Sequence, residues 1–164
     1  MMLGMTPYTL VHVLLSLVGI ASGFFVLFFG LLASRRLPAW TALFLVTTGL
    51  TSATGFGFPR EHILPSHVVG AISLVVLAVA LLALYRHKLA GGWRRIYVIA
   101  AVVSLYLNFF VLIVQGFLKI PVLHDLAPLQ NEPPFVVAQG AALLLFVAAG
   151  ALAVRRFHPE DQRE

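Results

Sequence analysis

The sequence predicts an all-α integral membrane bundle of five transmembrane helices, with its N-terminus outside and its C-terminus in the cytoplasm. Three observations carry that reading. Five long apolar stretches, each closed by a charged or proline-rich break, take up nearly all of the 164 residues. Hydrophobic residues make up 60% of the chain and charged residues only 10%, where a soluble domain carries about 25% charged. The basic residues, finally, are sorted by the break they occupy. The stretches 8–33, 40–56, 66–85, 96–118 and 135–154 each hold about the 20 residues a helix needs to cross ~30 Å of hydrocarbon. They fill a single domain, 1–164, and leave no room for a separate soluble one.

The first span follows Met1 to Pro7, which carry no positive charge, and no small-residue cleavage site comes after it. It is therefore expected to be retained and not removed as a signal peptide. Along it His12, Ser16, Gly19, Gly23 and Gly30 keep to one stripe, and the Gly19/Gly23 pair lets another backbone approach closely. The second span is the most dilute, because Thr47, Thr48, Thr51, Ser52 and Thr54 lower its hydrophobicity. Hydroxyls that bond back to their own turn make such a helix tolerable in a membrane. The third begins at His67. In the fourth, Ala101, Ser104, Asn108 and Gln115 share a stripe, with Asn108 near mid-depth, and the cost of a bare amide in hydrocarbon turns that stripe into the bundle. The fifth carries Gln139 one turn inside its start. A faint echo links Leu31-Leu32-Ala33 before Trp40 to Leu81-Leu82-Ala83 before Trp93, as though two hairpins were related in parallel.

Charge fixes the expected orientation. Arg35, Arg36, Arg86, Lys88, Arg94, Arg95, Arg155, Arg156 and Arg163 fall on one side, and only Arg60 and Lys119 on the other. Excess lysine and arginine mark the cytoplasmic side. The same placement accounts for the net charge of +5 and the pI near 10.3, so no nucleic-acid partner is expected and the partner implied is the lipid bilayer. Proline brackets the outer loops: Pro59 and Pro65 in one, Pro121, Pro128, Pro133 and Pro134 in the other. Within the second, Val122 to Ala127 fits an interfacial helical turn or an extended loop equally well.

Several chemistries are excluded. Without cysteine there are no disulfides, thiolate metal sites or iron-sulfur clusters. No Asp, Glu, Lys or Arg lies within a span, which removes the usual proton relay and ion-coupling carboxylate. Ser22 sits mid-helix without a base, and Glu61-His62 has the wrong spacing to His67 for a zinc-protease helix. The chain is not expected to be an enzyme.

What polar chemistry remains gathers at the outer end. His12, His67, Gln115 and Gln139 come from four spans at similar depth, Asn108 lies below them, and His62, His124 and Asp125 sit in the loops above. An outward-opening ligand pocket lined by the first five and capped by the last three is the expectation. It fits a small amphiphilic molecule such as a quinone. A haem or a metal ion held by His12 and His67, with His62 and His124, is the alternative. Plain interhelical hydrogen bonding is the reading without a ligand. A third function class, the structural subunit of a membrane complex, would use the Gly19/Gly23 face for a homo- or hetero-oligomer.

The five-helix plan and size are similar to those of the tryptophan-rich sensory protein (translocator protein) family, which binds porphyrins and sterols. Trp40 and Trp93, the two tryptophans of this chain, are placed as interface anchors, and no site residue carries over. Leu43 to Pro59 (LFLVTTGLTSATGFGFP), Leu105 to Pro121 (LYLNFFVLIVQGFLKIP) and Gln130 to Pro134 (QNEPP) resemble small uncharacterised five-span proteins of the bacterial inner membrane. That resemblance implies a multi-pass protein of the cytoplasmic membrane and brings no activity with it.

Overall fold

The computed structural model describes residues 6–58 and 65–159, and no strand occurs among them. Helix α1 (Pro7–Phe25) starts on a cap, with the Thr9 N–H donating to Thr6 Oγ1, and closes in a π-helical turn (Val26–Leu31). A basic turn leads to α2 (Pro38–Gly55). Helix α3 (Pro65–Leu81) closes in a second π-helical turn (Leu82–Arg86), and another basic turn leads to α4 (Trp93–Lys119). The short α5 (Pro121–Leu126) and the long α6 (Pro133–Arg156) complete the chain. Proline stands at the first turn of α1, α2, α5 and α6, where its missing N–H costs nothing. The segment 122–127, equally readable as turn or loop, is thus helical over most of its length.

Among the described residues four helices are long and apolar enough to cross a membrane: Pro7–Leu31, His67–Arg86, Trp93–Lys119 and Pro133–Arg156. By length and composition this is a multi-pass membrane protein. Helix α2 is not among the four, and its hydroxyls are the reason. Those hydroxyls are nearly all turned inward: Thr41, Thr47, Thr48, Thr51 and Ser52 are buried, whereas Leu43, Val46 and Leu50 are exposed. Thr47 donates to the Leu43 carbonyl and Thr54 to that of Leu50, so these hydroxyls satisfy themselves on the turn below.

The first four helices pack in sequence, α1 on α2, α2 on α3 and α3 on α4, and α4 closes back on α1. Helix α6 lies outside that ring, packed on α4 and touching the π-helical turn that closes α1. Phe146 of α6 sets its seat, with ring centroids 5.6 Å from Phe109, 5.6 Å from Tyr106 and 5.8 Å from Phe24. Tyr106, which stands away from the span ends where the other tyrosines sit, is part of this cluster. The remaining faces of α6 expose Val137, Leu144 and Leu145, as α3 exposes Ile72 and Val75. Continuous apolar faces of this extent suit lipid and not water.

Gly19 and Gly23 are buried inside the ring. A Cβ at Gly19 would stand 3.2 Å from Thr47 Oγ1 and 3.6 Å from Asn108 Nδ2; one at Gly23 would stand 2.5 Å from Leu105 Cδ1 and 2.8 Å from Phe44 Cε2. The close approach they permit is therefore made to α2 and α4 of the same chain. The face that the sequence offers for an oligomer at Gly19 and Gly23 is thus the one covered by α2 and α4.

The turn before α6 is organised by Glu132, whose carboxylate accepts the N–H of Leu129 and that of Asn131, each at 3.1 Å. Desolvation pushes its pKa up, but the backbone N–H groups around it win and hold it below the usual carboxylate value. A depressed folded value means the contribution is complete above the ordinary pKa and is lost as pH falls through the folded one. Protection of the Leu129 and Asn131 amides, measured against their intrinsic exchange rates, should fall as the pH is taken below the ordinary carboxylate range, and Glu132→Gln should show the lower protection already at neutral pH. Protection indifferent to both would remove the carboxylate from this role.

Candidate functional site

A cavity of about 410 Å³ lies within the ring, at the end of the bundle opposite the basic turns. All four ring helices wall it. Helix α1 contributes His12, Ser16 and Ile20, and α2 contributes Thr51 and Ser52. Opposite them stand His67 and Ser73 of α3, with Asn108, Val111 and Gln115 of α4. The ring leaves this space because small residues meet there: Gly55, Gly70 and Gly116 line it along with the serines. Its volume lies in the range of drug-sized ligand sites.

The floor is held by Asn108, buried, with its Nδ2 donating to Thr48 Oγ1 at 3.1 Å. The amide thus faces other helices, as the cost of placing it in hydrocarbon demands. Ser52 donates to Ser73 Oγ at 3.1 Å and so ties α2 to α3. Thr51 differs: it lines the cavity, is buried, and its hydroxyl has no hydrogen-bond partner. A buried polar atom without a partner calls for an account, and a ligand or ordered water in the cavity would supply one.

Nearer the mouth, His12 Nδ1 lies 2.8 Å from Thr54 Oγ1. The Thr54 hydroxyl already donates to the Leu50 carbonyl, so it receives the proton of His12 Nδ1. In the neutral ring that tautomer leaves a lone pair on Nε2, free to accept a hydrogen bond. The ring is held edge-on against Phe58, 5.1 Å between centroids, and His67 stacks on Phe56 at 5.6 Å. Both histidines are thereby oriented by aromatic neighbours as well as by backbone.

Of the expected pocket residues, the structure brings together His12, His67, Gln115 and Asn108. Gln139 is not among the lining residues. Its Nε2 donates to the Phe110 carbonyl at 3.2 Å and its Oε1 is buried without a partner. Shared depth groups it with the others, but α6 packs on the outer side of α4, so depth matches and direction does not. The expected cap also differs: His124 and Asp125 are exposed on α5, which packs on α4, and neither lines the cavity. His62 lies outside the described residues. Among the described residues no three His, Asp or Glu side chains gather as a metal site, and the four-histidine set expected from the sequence includes His62, which lies outside them. On the basic side His87 stacks flat on Trp93, 3.7 Å between centroids, while the backbone N–H of His158 donates to Ser34 Oγ.

Thr51, Ser52 and Ser73 are site residues that sequence reasoning misses. The signal is present in α2 as hydroxyls at steps of three and four, a stripe that composition shows only as diluted hydrophobicity. No protein-family model, no curated protein and no solved structure matches this chain.

Proposed function

We propose that this chain is a five-span membrane protein that binds a small, largely apolar ligand with a hydrogen-bonding head in the 410 Å³ cavity, without catalysing a reaction. The carrying observation is the hydroxyl of Thr51, buried and unpartnered, in the wall of a cavity lined otherwise by hydroxyls, amides and two imidazoles, without a carboxylate and with Lys119 at its mouth. His12 Nε2, as an acceptor, favours a ligand that donates a hydroxyl or N–H. Apolar walls from Val13, Leu17, Ile20 and Val111 accept the rest of the molecule. Binding would not require a charged ligand, which would find no partner at the floor.

Helix α2 is taken as the fifth span because its outward face, Leu43, Val46 and Leu50, is apolar and its hydroxyls are inside. With an odd number of spans the nine-to-two division of basic residues puts the C-terminus in the cytoplasm and the cavity outward. The resemblance to small proteins of the bacterial inner membrane favours that compartment. Reporter fusions after Arg36, Lys88 and Arg156 should then report cytoplasm and those near Glu61 and Gln130 the outside. One exchanged location would sink the topology.

The ligand itself is tested by solvent extraction of protein purified in mild detergent, with mass analysis and an absorption spectrum. A stoichiometric small molecule and a bare visible spectrum are expected. His12 and His67 do line one cavity, which is what favours the haem alternative; a Soret band abolished by His12→Ala would establish haem and overturn the assignment of a colourless apolar ligand.

A further inference from the structure

A second cavity, about 230 Å³, lies at the opposite, basic end of the bundle. Both π-helical turns border it, the first through Val26, Gly30 and Leu31 and the second through Leu84 and Tyr85. The wider turn is what sets these residues back: the N–H of Leu32 bonds to Leu27 O and that of Arg35 to Gly30 O, five residues apart, as does His87 to Leu82 O. Leu89, also in the wall, is buried and holds φ at +63°. Non-glycine residues held in that region cost free energy and recur where a ligand is clamped. Such turns are likewise frequent at functional sites.

The chemistry of the rim is one-sided. Arg35 and Arg36 border the cavity, and Tyr97 and Thr41, hydrogen-bonded to each other, provide hydroxyls at its floor. The described carboxylates, Asp125 and Glu132, are both at the other end of the bundle. An arginine has five N–H donors in a planar fork, so each can keep a partner within the chain and still meet a phosphate. The space is smaller than the roughly 300 Å³ at which drug-sized sites begin, and suits a headgroup whose acyl chains remain outside. Tyr85, exposed beside the opening, is an amphipathic ring of the kind that sits at headgroup level.

We propose that this 230 Å³ pocket, bordered by both π-helical turns and by Arg35 and Arg36, holds the phosphate-bearing headgroup of an anionic membrane lipid. The proposal rests on the helices spanning a bilayer with the basic turns at its surface, and is independent of what the larger cavity binds. Basic pockets between membrane helices on the cytoplasmic side recognise such headgroups. The pocket adds shape to what would otherwise be diffuse attraction to the leaflet.

The test is native mass spectrometry of the full chain in neutral detergent, titrated with phosphatidylglycerol, with phosphatidylcholine of the same acyl chains, and with inorganic phosphate. One phosphatidylglycerol should be retained per chain and phosphatidylcholine should not. At about 1 kcal/mol per basic residue near an anionic surface, Arg35→Gln with Arg36→Gln should weaken retention about 30-fold, and either single change about fivefold. Arg155→Gln with Arg156→Gln removes the same charge from the same end but from outside the pocket, and should leave retention within about twofold. Equal losses in the two double variants would mean surface charge alone and would overturn the proposal. So would equal retention of the two lipids, a result that needs no variant to fold. Phosphate binding as tightly as the lipid would make this a free-anion site and overturn the lipid assignment. Tighter lipid binding after Glu160, Asp161 and Glu164 are changed to Gln would name the acidic tail as the natural occupant, with the same consequence. Failure of the topology reporters would show separately, since lipid retention in detergent does not depend on them.

Discussion

Gly23→Leu is expected to abolish folding of this protein, and Gly23→Ala to destabilise it by about 1–3 kcal/mol, the cost of overpacking a filled core. The added Cβ would lie 2.5 Å from Leu105 Cδ1 and 2.8 and 2.9 Å from two ring carbons of Phe44. A flexible side chain at the surface would move aside. These two do not have that freedom: Leu105 and Phe44 are each 1% exposed, and Phe44 is fixed in α2 while Leu105 is fixed in α4. Relief must come from moving α1 away from both helices at once, which opens the contact that closes the ring. The further γ and δ carbons of the leucine variant leave no such compromise. Gly140, on α6, is the control, because nothing lies within 4 Å of a Cβ there. Gly140→Ala should be neutral or stabilising by up to about 1 kcal/mol, through helix propensity alone. Unfolding titrations in detergent read all three. A Gly23→Ala variant as stable as the parent would mean that α1 does not close the ring as described.

The stripes of small and polar residues are readable in the sequence because they rest on helical period alone. Ser104 and Asn108 are buried where the spacing puts them, and Gly19 and Gly23 do face other helices. Period says which face of a helix is inward, however, and not which helix it meets. Gln139 shows the difference: it faces α4, as a polar group in a span must, but from the side away from the cavity. Nothing in a single sequence gives the position of α6 around α4, since that follows from how Phe146 fits among Phe24, Tyr106 and Phe109. Nor do the π-helical turns announce themselves. Segments Val26–Leu31 and Leu82–Arg86 are apolar runs with an ordinary helical look, and one extra residue per turn leaves no mark on composition. The echo between Leu31-Leu32-Ala33 and Leu81-Leu82-Ala83 does fall at or beside those two turns, although it points to related hairpins and not to an unusual backbone.

Val111→Trp is expected to exclude the proposed ligand from the 410 Å³ cavity while leaving the fold in place. Val111 lines that cavity from α4, one turn beyond Asn108 and one turn before Gln115, so a larger side chain there projects between the floor and the mouth. It is only half-buried, and the space it would enter is open, so the overpacking that Gly23 suffers does not arise. Filling an existing void adds contacts where there were none, which favours the variant by the reverse of the cavity penalty. Two measurements then separate the readings of the site. Where the cavity holds a small ligand, the parent yields a stoichiometric molecule on extraction and the variant loses nearly all of it. Where the cavity holds only water, the parent yields nothing and the variant simply unfolds at a higher temperature. Retention of a bound molecule by a well-folded Val111→Trp variant would place the ligand elsewhere, and with it the role assigned to Thr51, His12 and Asn108 would go.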